Sequence, residues 1–493
     1  MKENEFTKAS TFLARATLGA DENLIKTVAG QGIENWLEEQ LNNRPFEKNT
    51  YEAGTRSIWE AFRGKFIRAY GEDRINGDGN NPALPYKWYF RMAWWQHTLS
   101  HDDTEDLIRQ RVAQALSELL VISDNSSLEL DAPGLASFYD LLYNHAFGSY
   151  ADLLFAVSMH PCMGVYLSHM NNRKADPSAN IHPDENYARE LMQLFTIGLV
   201  ELNADGTRKN NSEGKDIPTY TNDDIKQLAR VFTGLKAHSY RYEWRTGFWE
   251  PDYNGSGVGF DDGIDKTYKT VPFVTMTRPM IVDDAYHDNG PKSLLKGYIQ
   301  LSGNQSGEDE IREVVNKLVG HPNTAPFVAR HLIRQMVTSN PSPEYVKAVA
   351  DEFNEKGDLK AVVREVLTYP FHHRVRGNKD QSANHSQKLK SPFLRITQLL
   401  RAFRAGNRSG KLWLTGESLE EALGQHVLSS PTVFNFYKPD FTPHGAVEKA
   451  GLVAPEFELH DSATSIAYIN LMFHWFFADF YPEVSTDITP AIK

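Results

Sequence analysis

The chain has one cysteine in 493 residues, Cys162, so no intrachain disulfide can brace it. That residue sits in "SMHPCMGVYLS" with no CxxC spacing, and it reads as a small buried hydrophobe before a reactive nucleophile. Basic charge is also in short supply. Lysine and arginine number 52 against 64 aspartates and glutamates, a net charge of −12. Nucleic-acid binding and attachment to an anionic membrane surface both need a basic face, so both are poor fits. No apolar run is long enough to span a bilayer. The start, "MKENEFTKASTFLARATLG", is charged and amphipathic, and lacks the apolar core and small-residue cleavage site of a signal peptide. It fits a protein that stays inside, or one whose leader has been removed.

Familiar catalytic signatures are missing too. "HPDEN" is not HExxH, because no second histidine follows one turn on. His372 and His373 are adjacent and would point apart on a helix, while His182, His287, His385, His426 and His444 are scattered. No metal and no cofactor is expected. There is no GxSxG elbow, phosphate loop or dinucleotide fingerprint, and Ser429 and Ser430 have no evident base partner. Fixed-period repeats and low-complexity tracts are likewise absent.

What is present is helical periodicity. At 41% hydrophobic and 24% charged, the composition is that of an ordinary globular protein. Amphipathic stretches recur from Ser10 to the end, and the pattern predicts a mainly α fold, a large multi-helix body with a loop-rich, partly β insertion. The expected division is an N-terminal helical region over 1–202, a helix plus aromatic loop-rich insertion over 203–306, and a C-terminal helical region over 307–493 packing on the first. Punctuation is clear in places. Thr221 and Asp224 form a capping box before "IKQLARVFTGL", which Gly234 stops. Ser342 caps a helix whose first residue is Pro343, and Asp358 opens the next. Residues 203–216 read as a loop or hairpin. The aromatic stretch from Tyr240 to Phe260 reads as a recognition surface or as a lid folded over the helices. "ATSIAYINLMFHWFFADF" is apolar enough to be core.

The densest polar helix is "NIHPDENYARELMQLFTIGLVEL", residues 180–202. Pro183 suits a first helical position, and Asp184 and Glu185 suit the positive end of the helix dipole. Tyr187, Ala188, Leu191, Leu194 and Phe195 share one side; Glu185, Asn186, Arg189, Glu190 and Gln193 share the other. Glu185 and Arg189 are four apart, as are Asn186 and Glu190, so each pair can touch. Either this is a solvated face with one ion pair, or it is a buried cluster holding a ligand. Elsewhere Arg109 and Arg111 lie in "LIRQRVAQALSELL", with surface placement the default and a buried pairing of Arg111 with the carboxylates of 184–190 the alternative. Arg330 and Arg334 are one turn apart beside His331 and suit a phosphate, sulfate or carboxylate, or else form an exposed basic stripe. "YHDNGPKSLL" gathers His287, Asp288 and Lys292 around a Gly-Pro turn, an anion site or a plain turn.

Five separated stretches carry a resemblance: "RKADPSANIHPDENYARELMQLFTIGLVELNADGT", "YTNDDIKQLARVFTGL", "YHDNGPKSLL", "HPNTAPFVARHLIRQMVTSNPSPEYVKAVADEF" and "LSSPTVFNFYKPDF". In that order they resemble the bacterial family called domain of unknown function 1800, from Phe12 to about Glu456. The resemblance implies a periplasmic or secreted protein of unassigned activity. It also implies a partner, a sulfatase- or alkaline-phosphatase-like protein of the family called domain of unknown function 1501, and hence work on or around an anionic polymer. Many relatives carry Trp-His-x-His where this chain has "AQALSELLVIS", so a metal held there in relatives is not expected here. Matching the signature at Asp184, Glu185, Asn186, Arg189 and Glu190 favours a buried polar cluster over a wet face. Two functions are therefore expected. One is a non-catalytic assembly partner. The other is a hydrolase or lyase, with Glu185, Arg189, Glu190 and His287 as catalytic residues and Arg111, Asn186, Lys292, Arg330 and Arg334 binding the anion.

Overall fold

The computed structural model describes residues 3–45, 50–70, 85–100, 106–238, 242–245, 248–251, 276–303, 305–372, 388–406 and 410–477. It is mainly α. The N-terminal helices are α1 (Glu3–Ala16), α2 (Glu22–Gln31), α3 (Ile33–Asn42), α4 (Tyr51–Tyr70), α5 (Lys87–Thr98), α6 (Leu107–Ser117), α7 (Ala132–Asn144), α8 (Tyr150–Ser158) and α9 (Pro161–Tyr166). Short α10 (Asn186–Glu190) and α11 (Asn222–Val231) lead into the insertion. The chain then resumes with α12 (Gly307–Val319), α13 (Thr324–Met336), α14 (Pro343–Asp351) and α15 (Leu359–His372). Last come α16 (Pro392–Ala402), α17 (Glu417–Leu423), α18 (Ala446–Lys449) and α19 (Ser462–Phe477). Among the described residues no helix is long and apolar enough to cross a membrane.

Local chemistry sets the helix ends. The Asp21 carboxylate accepts from Leu24 N and starts α2, and Ser306 accepts from Asp309 N at the acid-rich start of α12. Thr221 and Asp224 form the reciprocal capping box of α11, and Ser342 with Pro343 starts α14, both as the sequence predicts. The start of α4 is capped from far along the chain. Asp140, on α7, accepts from Tyr51 N and Glu52 N, each at 2.8 Å, and so ties two packed helices together.

Strands are short. Three two-stranded antiparallel pairs are formed by β1 (Leu235–Lys236) with β4 (Ile281–Val282), β2 (Tyr242–Arg245) with β3 (Phe248–Pro251), and β5 (Lys292–Leu294) with β6 (Ile299–Leu301). Gly234 opens β1 at φ +83°, and a Cβ there would meet the Asp283 carbonyl at 2.7 Å, so only glycine lets the two ends of the insertion close. The expected aromatic excursion falls mostly on residues outside those described. Residues 199–219 form an arch with bridges Val200–Pro218, Leu202–Arg208 and Asn210–Asp216, which agrees with a hairpin over 203–216. The Asn323 side chain pins this arch to the start of α13 through Ile197 O, Val200 O and Leu202 N, each at 2.8 Å.

One hydrophobic cluster runs from Ala9 to Leu428 and takes in side chains from α1 to α17. The last helix departs from expectation. Its sequence reads as core, yet Ile466, Ile469 and Phe473 of α19 stand out into solvent at more than half exposure. Apolar density alone does not tell a buried helix from one that shows an apolar face outward.

Replacing Asp140 with alanine removes both acceptors at the start of α4. A loss of about 1–2 kcal/mol of unfolding free energy is expected in urea, the upper range for a helix cap.

Candidate active site

The polar helix is shorter than its sequence suggests. Pro183, Asp184 and Glu185 precede α10, which runs only from Asn186 to Glu190 before a π turn over Leu191–Phe195. Asn172 holds the approach, accepting from Asp184 N at 2.8 Å and donating to Phe232 O. The expected cluster divides between solvent and core. Arg189 is part-exposed and pairs with Glu185 at 3.3 Å, as the four-residue spacing allows. Asn186 is exposed, and its amide reaches Ser168 Oγ rather than Glu190. Glu190 alone turns inward, at 6% exposure, with Oε2 lacking any hydrogen bond. Burial raises its pKa, and Arg189 offsets part of the rise.

His287 and Lys292 lie together in a second place. Lys292 Nζ reaches both Glu310 oxygens at 2.9 and 2.7 Å, Asp288 O at 2.5 Å and Gly290 O at 3.1 Å. His287 spends one ring nitrogen on Thr233 O and the other on Glu310, at 2.9 and 3.0 Å. Arg230 grips Asp288 through two contacts of 2.8 and 2.9 Å. Lys292 and Glu310 are buried and their hydrogen-bonding capacity is met within the protein, which is what a stapled turn requires.

The third place is a pocket. It opens between α6, α13 and the segment 433–456, and encloses about 130 Å³. Arg334, His331, Glu118, Tyr437, Asn435 and Glu456 supply its polar lining, and Phe327, Phe434 and Pro439 are among its apolar walls. All of α6 is buried, including Arg109, Gln110, Arg111 and Gln114. This corrects the surface placement expected for the two arginines. Arg109 is met by the carbonyls of Asn43, Tyr143 and Asn144 and lies 4.4 Å from the Phe147 ring. Nor does Arg111 reach the 184–190 segment. It donates to Gln114 Oε1 and to Gln335 O on α13. Residues 111, 114 and 118 fall on one face of a helical path, and Gln114 passes the chain of hydrogen bonds on to Glu118 Oε1 at 2.5 Å. The other Glu118 oxygen accepts from Asn435 Nδ2 and Tyr437 OH, both at 3.2 Å.

Burial raises the Glu118 pKa from its ordinary value, with Arg111 and Lys388 pulling it back and Glu456 adding to the rise. Burial and the neighbouring Glu118 raise Tyr437 well above its ordinary value, so its phenol keeps its proton and donates. Lys388 pairs with Glu456, whose second oxygen accepts from Ser339 Oγ at 3.4 Å. Arg334 stands apart. Its one hydrogen bond among the described residues is to Pro439 O at 3.2 Å, its Nε has no partner, and no described carboxylate is within ion-pair reach. Burial and then Arg330 push it down to about 9, with Asp440 and Glu456 opposing, so it is still charged at neutral pH. His331 bonds the Ala115 carbonyl and leaves Nε2 unpaired; burial and then Arg334 lower it to about 4, which keeps the ring neutral.

The structure thus separates the expected residues. Glu185, Asn186, Arg189 and Glu190 share α10 and its approach, His287 and Lys292 share Glu310, Arg111 bonds the Gln335 carbonyl, and Arg334 lines the pocket. Arg330 lies one turn before Arg334, in a hollow of its own. Glu118, Gln114, Asn435, Tyr437, Lys388 and Glu456 were not singled out from sequence. A polar stripe at 111, 114 and 118 across an apolar helix was the available signal for the first two. Among the described residues no group of three or more histidine, cysteine, aspartate or glutamate side chains is placed to hold a metal ion.

A family model described as "Protein of unknown function (DUF1800)" matches residues 11–489. No curated protein and no solved structure matches the chain.

Replacing Lys292 with methionine leaves the buried Glu310 with His287 and no full cation. The expected loss is about 3–5 kcal/mol of unfolding free energy, read by chemical denaturation.

Proposed function

We propose, from the premise that the chain belongs to the DUF1800 family of proteins of unknown function, that its pocket between α6 and α13 binds an acidic group. The observation that carries this reading is Arg334. A guanidinium lines a pocket with no carboxylate partner among the described residues, beside a carboxyl group whose pKa is raised. Around that pocket Lys388 and Glu456 answer each other, while Arg334 has no ion pair among the described residues. Bidentate pairing of guanidinium with carboxylate, sulfate or phosphate supplies both strength and orientation.

Glu118 is the group that moves a proton. Held by Gln114, Asn435 and Tyr437, and with its pKa raised by burial, it is the carboxyl group placed to give a proton to a leaving oxygen or take one from a carbon or water. Arg334 would steady the charge that develops. That is the arrangement of a hydrolase or lyase on an anionic substrate. It replaces the Glu185–Arg189–Glu190 group as the bearer of that chemistry, because those side chains do not line the pocket. We place the protein in the periplasm or outside the cell, on the family resemblance.

A second reading rests on α19. Ile466, Ile469 and Phe473 present exposed apolar groups three and four residues apart, the pattern of a helix that docks on another protein. On this reading the chain is the assembly partner of a sulfatase-like protein. Co-expression with such a neighbour should give a joint peak in size exclusion that Ile469→Asp removes; no joint peak with the unaltered chain contradicts it.

The test of the first reading is calorimetry with inorganic sulfate and with glucuronate. Arg334→Gln should weaken binding by about ten- to a hundredfold, the worth of one or two charged hydrogen bonds. Protonated Glu118 is neutral and ionised Glu118 repels the ligand, so affinity should fall as pH rises through the raised Glu118 pKa. In Glu118→Gln that fall should vanish. Equal binding by Arg334→Gln and the unaltered protein would remove the reading.

A further inference from the structure

We infer that the ligand is an oligosaccharide with acidic groups on successive sugars, held at a second subsite where Arg330 and Arg208 line a hollow beside the Arg334 pocket. This rests on the reading of that pocket given above. The hollow encloses about 300 Å³ between the 199–219 arch and the start of α14. Arg330 projects from α13 one turn before Arg334, and residues four apart on a helix lie about 5–6 Å apart at Cβ. Its guanidinium has a single long contact, 3.5 Å to Gly206 O, and no ion pair among the described residues. Arg208, on the arch, shares the hollow and is paired with Asp216 at 2.7 Å. The remaining charged group, Asp205, is turned to its own loop, accepting from Thr207 N at 2.9 Å and Thr207 Oγ1 at 2.6 Å. Arg208 is thus answered by Asp216 and Asp205 stays ionised on its own loop, which leaves Arg330 as the hollow's cation without an ion pair among the described residues.

Two arginines one helical turn apart, each without an ion pair among the described residues, select a ligand with two acidic groups rather than one. Their walls narrow the class further. Pro341, Pro343 and Val346 line the outer hollow, and Phe434, Pro439 and Pro455 line the inner one. These are flat C–H surfaces between fixed charges, which suit sugar rings bearing sulfate or carboxylate. The arch is rigidly placed for this role. Asn323 fastens it to α13, and Gly206 sits where a Cβ would fall 2.8 Å from Val346 Cγ1, so the arch packs hard against α14.

The experiment compares two probes, inorganic sulfate and a fully sulfated tetrasaccharide, by calorimetry on the full chain. The tetrasaccharide should bind more tightly than sulfate, through a second engaged site. Arg330→Gln should cost the tetrasaccharide about tenfold in affinity and leave sulfate unchanged. Arg330→Lys, which keeps the charge, should recover part of the loss, and melting curves of both variants should match the unaltered protein. Arg334→Gln should weaken both probes. If Arg330→Gln leaves the tetrasaccharide unaffected while Arg334→Gln still weakens sulfate, the outer subsite is wrong and the inner pocket stands. If Arg334→Gln affects neither probe, the inner pocket itself is wrong. A tetra-glutamate peptide that binds as tightly, with the same dependence on Arg330, overturns the carbohydrate assignment.

Discussion

A guanidinium taken out of water must be met by acceptors at fixed positions, and α6 takes two of them into the core. Burying such a charge costs several kcal/mol unless it is hydrogen-bonded. Arg109 is satisfied by three carbonyls and a ring face. Arg111 is satisfied by Gln114 and by the Gln335 carbonyl near the end of α13. That second bond fixes α13 against α6. Through Gln114 and Glu118 the same chain of contacts fixes the segment carrying Asn435 and Tyr437. Three stretches far apart in the chain are thereby brought round one polar axis, and the pocket is the space they leave.

Electrostatics inside that space follow from the same constraint. Glu118 is buried to answer Arg111, and its burial disfavours the ionised form that would answer it best. Lys388 and Glu456 answer each other. Arg334 is left with a backbone carbonyl and an unpaired Nε. Arg109 also lacks a carboxylate, but carbonyls meet its donors; the Arg334 Nε is unmet among the described residues and lies beside a pocket, where a bound anion would meet it. By that measure the His287–Lys292–Glu310 network is the opposite case, every strong donor matched inside the protein.

Much of the fold is legible in the chain itself, because helix ends are local chemistry. Thr221 with Asp224 and Ser342 with Pro343 start helices where their residue types predict. The functional placement is much less legible, because it turns on which faces meet. Arg189 and Glu190 are neighbours in sequence, yet one sits at the surface with Glu185 and the other faces the core. Arg111 looks like the edge of an apolar stripe, and only the arrival of α13 over 200 residues later makes it central. Glu118 passes for a helix-end acid until Asn435 and Tyr437 close over it. The pair Arg330 and Arg334 was visible as a spacing, but its lack of ion pairs among the described residues is a tertiary fact. For α19 the apolar pattern was clear and its direction was not.

The most direct measurement is crystallographic. Crystals of the full chain soaked in selenate, whose anomalous signal marks its position, should show the anion within hydrogen-bond reach of the Arg334 guanidinium, on the pocket side. An empty pocket, with selenate found only at exposed arginines such as Arg189, would contradict the account.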